Sequence, residues 1–380
     1  MSHHIVVVGA GYAGLTAARR TARRLRRTDV TVTLVNATDQ FVERVRLHQL
    51  AAGQDARDLP LPDLLRGTRV ELLVARVTAI DPATRTVRID RAPHAIAYDS
   101  LVYALGSHTR VDDLPEAAER VHTIDGIGQA MRLRRRVARI ASGGTLAVVG
   151  GGLTGLEAAA ELAETYPELR VRLFTGSDTG GGLSPRAQRH LRRSLDRLRI
   201  TVHPHTVVAE VHQNALVTRD GAPFATDAVL WAAGFRAPAL AREAGFATDD
   251  LGRMKVDHSL RSLSHPEVYA IGDAAAGYAT DGAVTRMSCQ TALLMGRRVA
   301  DVVAGRLTGD REPEPVRITY AFTNISLGRR DGIVQFTRAD DSPRNALLTG
   351  RAAAVFKEGV IRSTIPTMRG IRPSASARQA

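Results

Sequence analysis

The chain has 380 residues, 44% of them apolar and 24% charged, and a formal net charge of +13. That balance belongs to a globular protein of about two or three domains and excludes disordered, collagen-like and low-complexity chains. The single cysteine, Cys289, excludes an intrachain disulfide framework, a CxxC redox pair and a cysteine zinc cluster, and no metal site is expected.

The opening residues, MSHHIVVVGAGYAGL, lack the charged, apolar and small-residue regions of a signal peptide. No window holds about 18 uninterrupted apolar residues. A cytoplasmic protein is expected, in line with its one cysteine. Residues 5–8 are a short apolar run suited to a buried parallel strand. A glycine turn follows, then helical spacing over 15–27 and a second strand at 30–35, which together make a βαβ unit. In the turn, Gly9 makes the tight bend, Gly11 lets a pyrophosphate approach the backbone, and Gly14 lets helix and strand pack closely. The helix start offers free N–H groups to the phosphates. A ribose-binding Asp or Glu is expected at the end of the second strand. Asn36 stands there and keeps hydrogen-bonding capacity without the charge. Next, 71–81 and 86–89 read as strands joined by a turn, and 100–104 as another buried strand.

A second βαβ unit begins at Thr145, with a strand at 146–149, a helix at 153–166 and a strand at 171–174. In its turn Gly150, Gly152 and Gly155 take the three glycine roles. Thr175 ends the second strand where a carboxylate would favour NAD, and Arg172 and Arg186 are near enough in sequence to meet a 2′-phosphate. NADH and NADPH therefore both stay open. Glu157 and Glu161, four apart, share one helix face. A carboxylate there, near a nicotinamide, could orient the ring or relay a proton, and the alternative is a salt-bridged surface pair. Strands are expected at 228–232 and 268–271, a helix at 288–304 and a linker at 312–315. Short alternating runs at 332–337 and 352–356 indicate a small mixed C-terminal domain. The tail after Thr367 is polar and basic.

By its five motifs, in order, the chain resembles the two-dinucleotide-binding-domain flavoproteins, the pyridine-nucleotide–disulfide reductase fold. They are the turn at 9–14, the YDSLVYALGS strand at 98–107, the turn at 150–155, the strand at 228–234 and VYAIGD at 268–273. The resemblance implies an α/β chain with two Rossmann-like, three-layer dinucleotide-binding domains and a small α+β C-terminal domain. Residues 1–110 and 236–311 would bind FAD, 111–235 would bind NAD(P), and 312–380 would be the C-terminal domain. FAD contacts are implied at Gly9, Gly11, Tyr12, Ala13, Gly14, Asn36, Val77, Ala104, Gly106, Gly272, Asp273 and Gln290. NAD(P) contacts are implied at Gly150, Gly152, Leu153, Thr154, Gly155, Thr175, Gly234 and Phe235.

Within that fold the chain is most similar to type II NADH dehydrogenases and apoptosis-inducing-factor-like reductases. GGGLTGLE at 150–157 and LGRRDG at 327–332 carry the likeness, as does the missing CxxC. It implies hydride transfer from NAD(P)H to flavin N5 and electron transfer on to an acceptor, foremost a quinone. Glu157, Gln290 and His48 are the implied catalytic residues, and Arg44 and Arg46 are candidates for FAD phosphate or active-site contacts. Cys289 reads as a small packing residue. Leu294 and Met295 stand where the dehydrogenases often carry glutamines, and the C-terminus lacks their amphipathic apolar face. Both points weigh against a membrane quinone.

Two other acceptors compete, a small iron–sulphur protein and a specialised metabolite. A reading of another class is a flavin-bound interaction protein with non-specific nucleic-acid affinity, motivated by arginine runs at 19–27, 132–139 and 189–199. Lysine occurs only at Lys255 and Lys357, and so marked an arginine skew fits GC-rich coding as well as a basic surface. No aromatic platform accompanies the runs, so no specific nucleic acid is expected. A homodimer and a peripheral contact with the inner face of a membrane stay open.

Overall fold

A computed structural model describes residues 2–26, 28–111, 119–279, 281–309 and 318–370. The chain opens with β1 (His3–Val8), α1 (Tyr12–Arg24) and β2 (Val30–Asn36). The apolar run at 5–8 is wholly buried, as a strand covered on both faces requires. A Cβ on Gly14 would lie 1.8 Å from the Gly9 carbonyl oxygen, so only glycine lets α1 start this close to the turn. A short helix, α2 (Leu47–Ala51), follows.

The stretch 71–81 is two strands in two sheets, not one. β3 (Val70–Val74) pairs with β2, and β4 (Val77–Asp81) begins an antiparallel sheet with β5 (Thr86–Ile89) and β6 (Ala95–Ala97). The Ala75 N–H ends the first ladder on the Asn36 carbonyl, and the Arg76 N–H turns to Asp90 Oδ1 at 2.9 Å. That handover redirects the chain where a hydrophobic pattern runs on unbroken. β7 (Ser100–Tyr103) then returns beside β1.

The second unit comprises β8 (Val121–His122), α3 (Ile127–Ile140), β9 (Thr145–Val149), α4 (Leu153–Thr165), β10 (Arg170–Phe174), α5 (Pro185–Arg197), β11 (Thr201–His203) and β12 (Ala228–Trp231). Its sheet is parallel, in the order β11-β10-β9-β12-β8. The chain then rejoins the first sheet with β13 (Val268–Ala270), giving the parallel order β13-β7-β1-β2-β3. Both are Rossmann-like cores of an α/β chain, which place ligands at the carboxyl ends of the strands. The long helix α6 (Cys289–Thr308) lies along α1. Gly296 permits this, since a Cβ there would be 2.5 Å from the Ala13 carbonyl oxygen.

The C-terminal part is an antiparallel sheet of β14 (Phe322–Ser326), β15 (Gly332–Thr337) and β16 (Pro343–Thr349), followed by α7 (Gly350–Met368). The alternation at 352–356 is thus helical. Ala353, Lys357, Ile361, Thr364, Ile365 and Met368 are buried at helical spacing while Val355 is 74% exposed; a five-residue window is too short to separate the two periods. Asp331, buried before β15, accepts hydrogen bonds from His190 (2.8 Å), Ser194 (2.7 Å) and Arg197 (2.7 Å) of α5, tying this sheet to the second unit. Some basic-run arginines are engaged within the molecule: Arg20 and Arg24 pair with Asp301, and Arg197 with Asp331. The linker at 312–315, Arg27 and the tail beyond 370 lie outside the described residues. Among the described residues no helix is long and apolar enough to cross a membrane.

Candidate active site

The carboxyl ends of β1, β7 and β13 open on a cavity of about 500 Å³. Gly11, Tyr12 and Ala13 stand at one part of it, where α1 begins. Ala104 and Gly106 follow β7, and Gly272 and Asp273 follow β13. Arg44, His48, Leu153, Thr154, Glu157, Phe235 and Gln290 complete the set of sequence-derived candidates that the cavity brings together.

The other candidates do not line it. Gly9, Gly14, Gly150 and Gly155 pack backbone against backbone in the two turns. Asn36 Oδ1 accepts the Ala10 N–H at 2.9 Å while its Nδ2 donates to the Thr38 carbonyl, so the side chain braces the glycine turn. Val77 is buried at the start of β4. Arg46 was expected at a phosphate or in the active site; it is instead held off the cavity by Glu358 at 2.8 Å and Glu43 at 3.5 Å. In the second turn Gly152 caps α4, and Thr175 packs directly over Gly151, its hydroxyl shared with Ser177. Gly234, with φ +69°, makes the bend that follows β12 and precedes Phe235.

The cavity fits the dinucleotide that the glycine turns imply. A Cβ on Gly11 or Gly152 would meet no atom within 4 Å, so open space lies in front of both helix starts, where N–H groups lack partners. Arg44 donates to the Ser107 carbonyl at 2.6 Å, and the Ser107 hydroxyl donates to Asp273 at 2.7 Å. Desolvation pushes the Asp273 carboxyl up, against Ser107 and Arg44. Ser288 caps α6 by accepting the Thr291 N–H, and leaves Cys289 and Gln290 in the first turn facing the cavity. Burial, then Asp273, pushes the Cys289 thiol up, as suits an inert packing residue.

Glu157 is the centre of a charged cluster in the same wall. Its side chain is only 12% exposed and pairs with Lys357 of α7, whose side chain is 8% exposed. It also accepts the Ser326 N–H at 3.1 Å, and its other oxygen lies 3.8 Å from His48 Nδ1. Burial alone would raise the Glu157 carboxyl, but Lys357, His48 and Ser326 hold it below its ordinary value. Burial lowers His48 to about 4, despite Glu157, and its Nε2 has no hydrogen-bond partner. A buried polar atom left unpaired is unusual, and here it belongs to a residue of the cavity wall.

Glu161, one turn on, is no surface residue. It is 1% exposed and bonded by Gln54 of the α2 region and by Arg329 at 2.9 Å. Burial pushes it up, against Arg329 and Gln54. Sequence reasoning missed Lys357, Ser326 and Gln54. Only Lys357 carried a signal, as one of two lysines in a chain that otherwise uses arginine.

Residues 3–296 match the pyridine nucleotide-disulphide oxidoreductase family. An NADH dehydrogenase-like protein of Mycobacterium tuberculosis is 32% identical, over 99% of this chain and 98% of its own. The type II NADH:quinone oxidoreductase Ndh of the same organism is 27% identical, over 82% of this chain and 75% of its own. Among solved structures, the sulfide:quinone oxidoreductase of Aquifex aeolicus superposes with a TM-score of 0.83 at 18% identity, covering 99% of this chain and 94% of that one.

Proposed function

The chain belongs to the pyridine nucleotide-disulphide oxidoreductase family, and from that premise we propose that it passes electrons from NADH through FAD to a quinone. It is an oxidoreductase with FAD as cofactor and NADH as co-substrate. Bound in the cavity, FAD supplies the redox chemistry, accepting a hydride and passing electrons on. The first sheet, built from both 3–103 and 268–270, is assigned to FAD, with domain limits at 1–110 and 236–311. The second, within 111–235, is assigned to the nicotinamide nucleotide.

The observation that carries the reading is that one cavity joins both folds. It is lined by Gly11 and Asp273 of the first and by Leu153, Thr154 and Phe235 of the second. A hydride donor and an acceptor ring must approach to roughly 3–3.5 Å, and this is where the two sites adjoin. The α1 start binds the FAD pyrophosphate through its N–H groups. The α6 start, with Gln290, places a positive helix end beside developing negative charge. Leu153 and Phe235 bound the nicotinamide and exclude water. Glu157, a carboxylate paired with the Lys357 ammonium, takes a proton from Lys357 only to hand it on, while His48 stays neutral and positions the carboxylate.

Quinone is favoured by the names of relatives and by apolar side chains in the same cavity, Met287, Leu293, Phe322 and Val360. Anaerobic stopped-flow reduction by NADH, followed by an acceptor panel, tests the reading. Quinone is expected to reoxidise the flavin faster than oxygen does. Faster reoxidation by a ferredoxin would transfer the function to an iron–sulphur partner, and equal rates with every acceptor would defeat both.

A further inference from the structure

Lys357 stands in the walls of two cavities. One is the site above; the other, of about 380 Å³, is lined chiefly by polar and charged side chains, among them Arg46, Gln49, Gln54, Arg329 and Glu358. Lys357 and Ile361 are common to both. The second cavity is a poor anion site, because its cations are already matched. Arg46 and Arg362 pair with Glu358, Arg329 with Glu161, and Lys357 with Glu157. It is a poor apolar site for want of apolar wall. What fits is water, which needs polar partners and little room.

The proposed reaction needs such a place. NADH + H⁺ + quinone gives NAD⁺ + quinol. The hydride carries two electrons and one proton, so one further proton must come from solvent in each turnover. The acceptor end has apolar walls and is faced by α7 through Lys357, Val360 and Thr364. On the polar side, Glu161 has one carboxylate oxygen, Oε2, buried without a hydrogen-bond partner. Gln54 and Arg329, which line the cavity, both contact the other oxygen, Oε1, so the carboxylate stands behind that wall, with Glu164 as its like-charged neighbour.

We propose that the polar cavity is the port through which the solvent proton enters, with Gln54, held in the wall by its hydrogen bond to the buried Glu161, as the residue that positions its water against Lys357. The Lys357 ammonium gives a proton to Glu157 and regains one from cavity water, and Glu157 gives its proton to the acceptor oxygen. No electron moves through the port. This rests on the acceptor reading above.

Two variants test it, Ala354→Leu, which adds bulk in the cavity wall, and Gln54→Leu. Flavin reduction by NADH and reoxidation by ferricyanide, which takes electrons without protons, are expected unchanged in both. Reoxidation by a short-chain quinone is expected to slow by about tenfold or more, within the range of general acid catalysis, with a raised solvent isotope effect. A high-resolution crystal structure of the oxidised wild type is expected to show ordered water bridging Lys357 and Gln54, displaced in Ala354→Leu. A dry wild-type cavity, or quinone reoxidation unchanged in both variants, overturns the port alone. A wild type that quinone does not reoxidise overturns the acceptor reading, and with it the need for an incoming proton.

Discussion

Glu157 and Lys357 lie 200 residues apart in sequence and form one ion pair almost closed off from solvent. The pair joins α4 of the second nucleotide fold to the last helix, so it is a structural clamp as well as part of the cavity wall. Removing one partner of such a pair strands the other charge, at a cost of about 3 kcal/mol or more. Lys357→Met is expected to lower the chemical-denaturation midpoint accordingly, with partial recovery in the double variant Lys357→Met/Glu157→Gln. Lys357→Arg is expected to fail as a replacement, because the wider guanidinium must find room in a packed wall. A fully stable Lys357→Met protein would show that the pair carries no such load.

Acid stability separates Glu157 from His48. Glu157 is depressed below its ordinary 4.5, so its contribution is full above that pH and is lost as pH falls through the lower folded value. His48 is depressed from 6.5 to about 4. Between those limits the unfolded chain binds a proton that the folded one refuses, so stability falls as pH drops from 6.5 toward 4, by about 3 kcal/mol in all. Urea midpoints measured from pH 7.5 to 4.5 are expected to decline in the wild type and to flatten in His48→Gln. A slope that His48→Gln leaves intact would place its source elsewhere.

Asp331 offers a test of how the C-terminal sheet is held. Ser194, Arg197 and His190 bring the Asp331 carboxyl below its ordinary value, although burial opposes them. Asp331→Ala leaves three donors of α5 without their acceptor. Arg197 and His190 can turn to water, so the loss is set at about 2 kcal/mol rather than the full sum. Limited proteolysis is expected to cut first around β15 in the variant. Unchanged proteolysis together with an unchanged melting temperature would count against the tie.

How far the sequence reaches follows from the range of each interaction. Gly9, Gly11 and Gly14 are legible because turn, helix start and close packing are decided within six residues, and the same holds for the turn at Gly150. Glu157 and Glu161 are legible as one face of a helix, but their burial is not, because the covering groups Gln54, Ser326, Arg329 and Lys357 arrive from other elements. Arg46 reads as a phosphate ligand until Glu358, from α7, claims it. The stretch 71–81 has one hydrophobic pattern and two destinations, and only the bonds at Ala75 and Arg76 reveal the break.

The two glycine turns can be told apart by variants that spare the fold. Gly11 and Gly152 both have extended backbones, φ −71° and −72°, that any residue adopts. Each also has open space where a side chain would go. Gly14 and Gly155 differ, since a Cβ would lie 1.8 Å from a carbonyl oxygen in either case, and Gly14→Ala or Gly155→Ala is expected to abolish soluble expression. Gly11→Val should fold but obstruct the pyrophosphate seat at α1, so it is expected to purify largely without flavin. Gly152→Val should keep its flavin absorbance and raise KM for NADH by at least about tenfold, the equivalent of about 1.4 kcal/mol of binding. Because the two folds share so much of their design, the opposite pattern is informative. If Gly152→Val lost the flavin and Gly11→Val kept it, the assignment of FAD to the first turn and the nicotinamide nucleotide to the second would have to be exchanged.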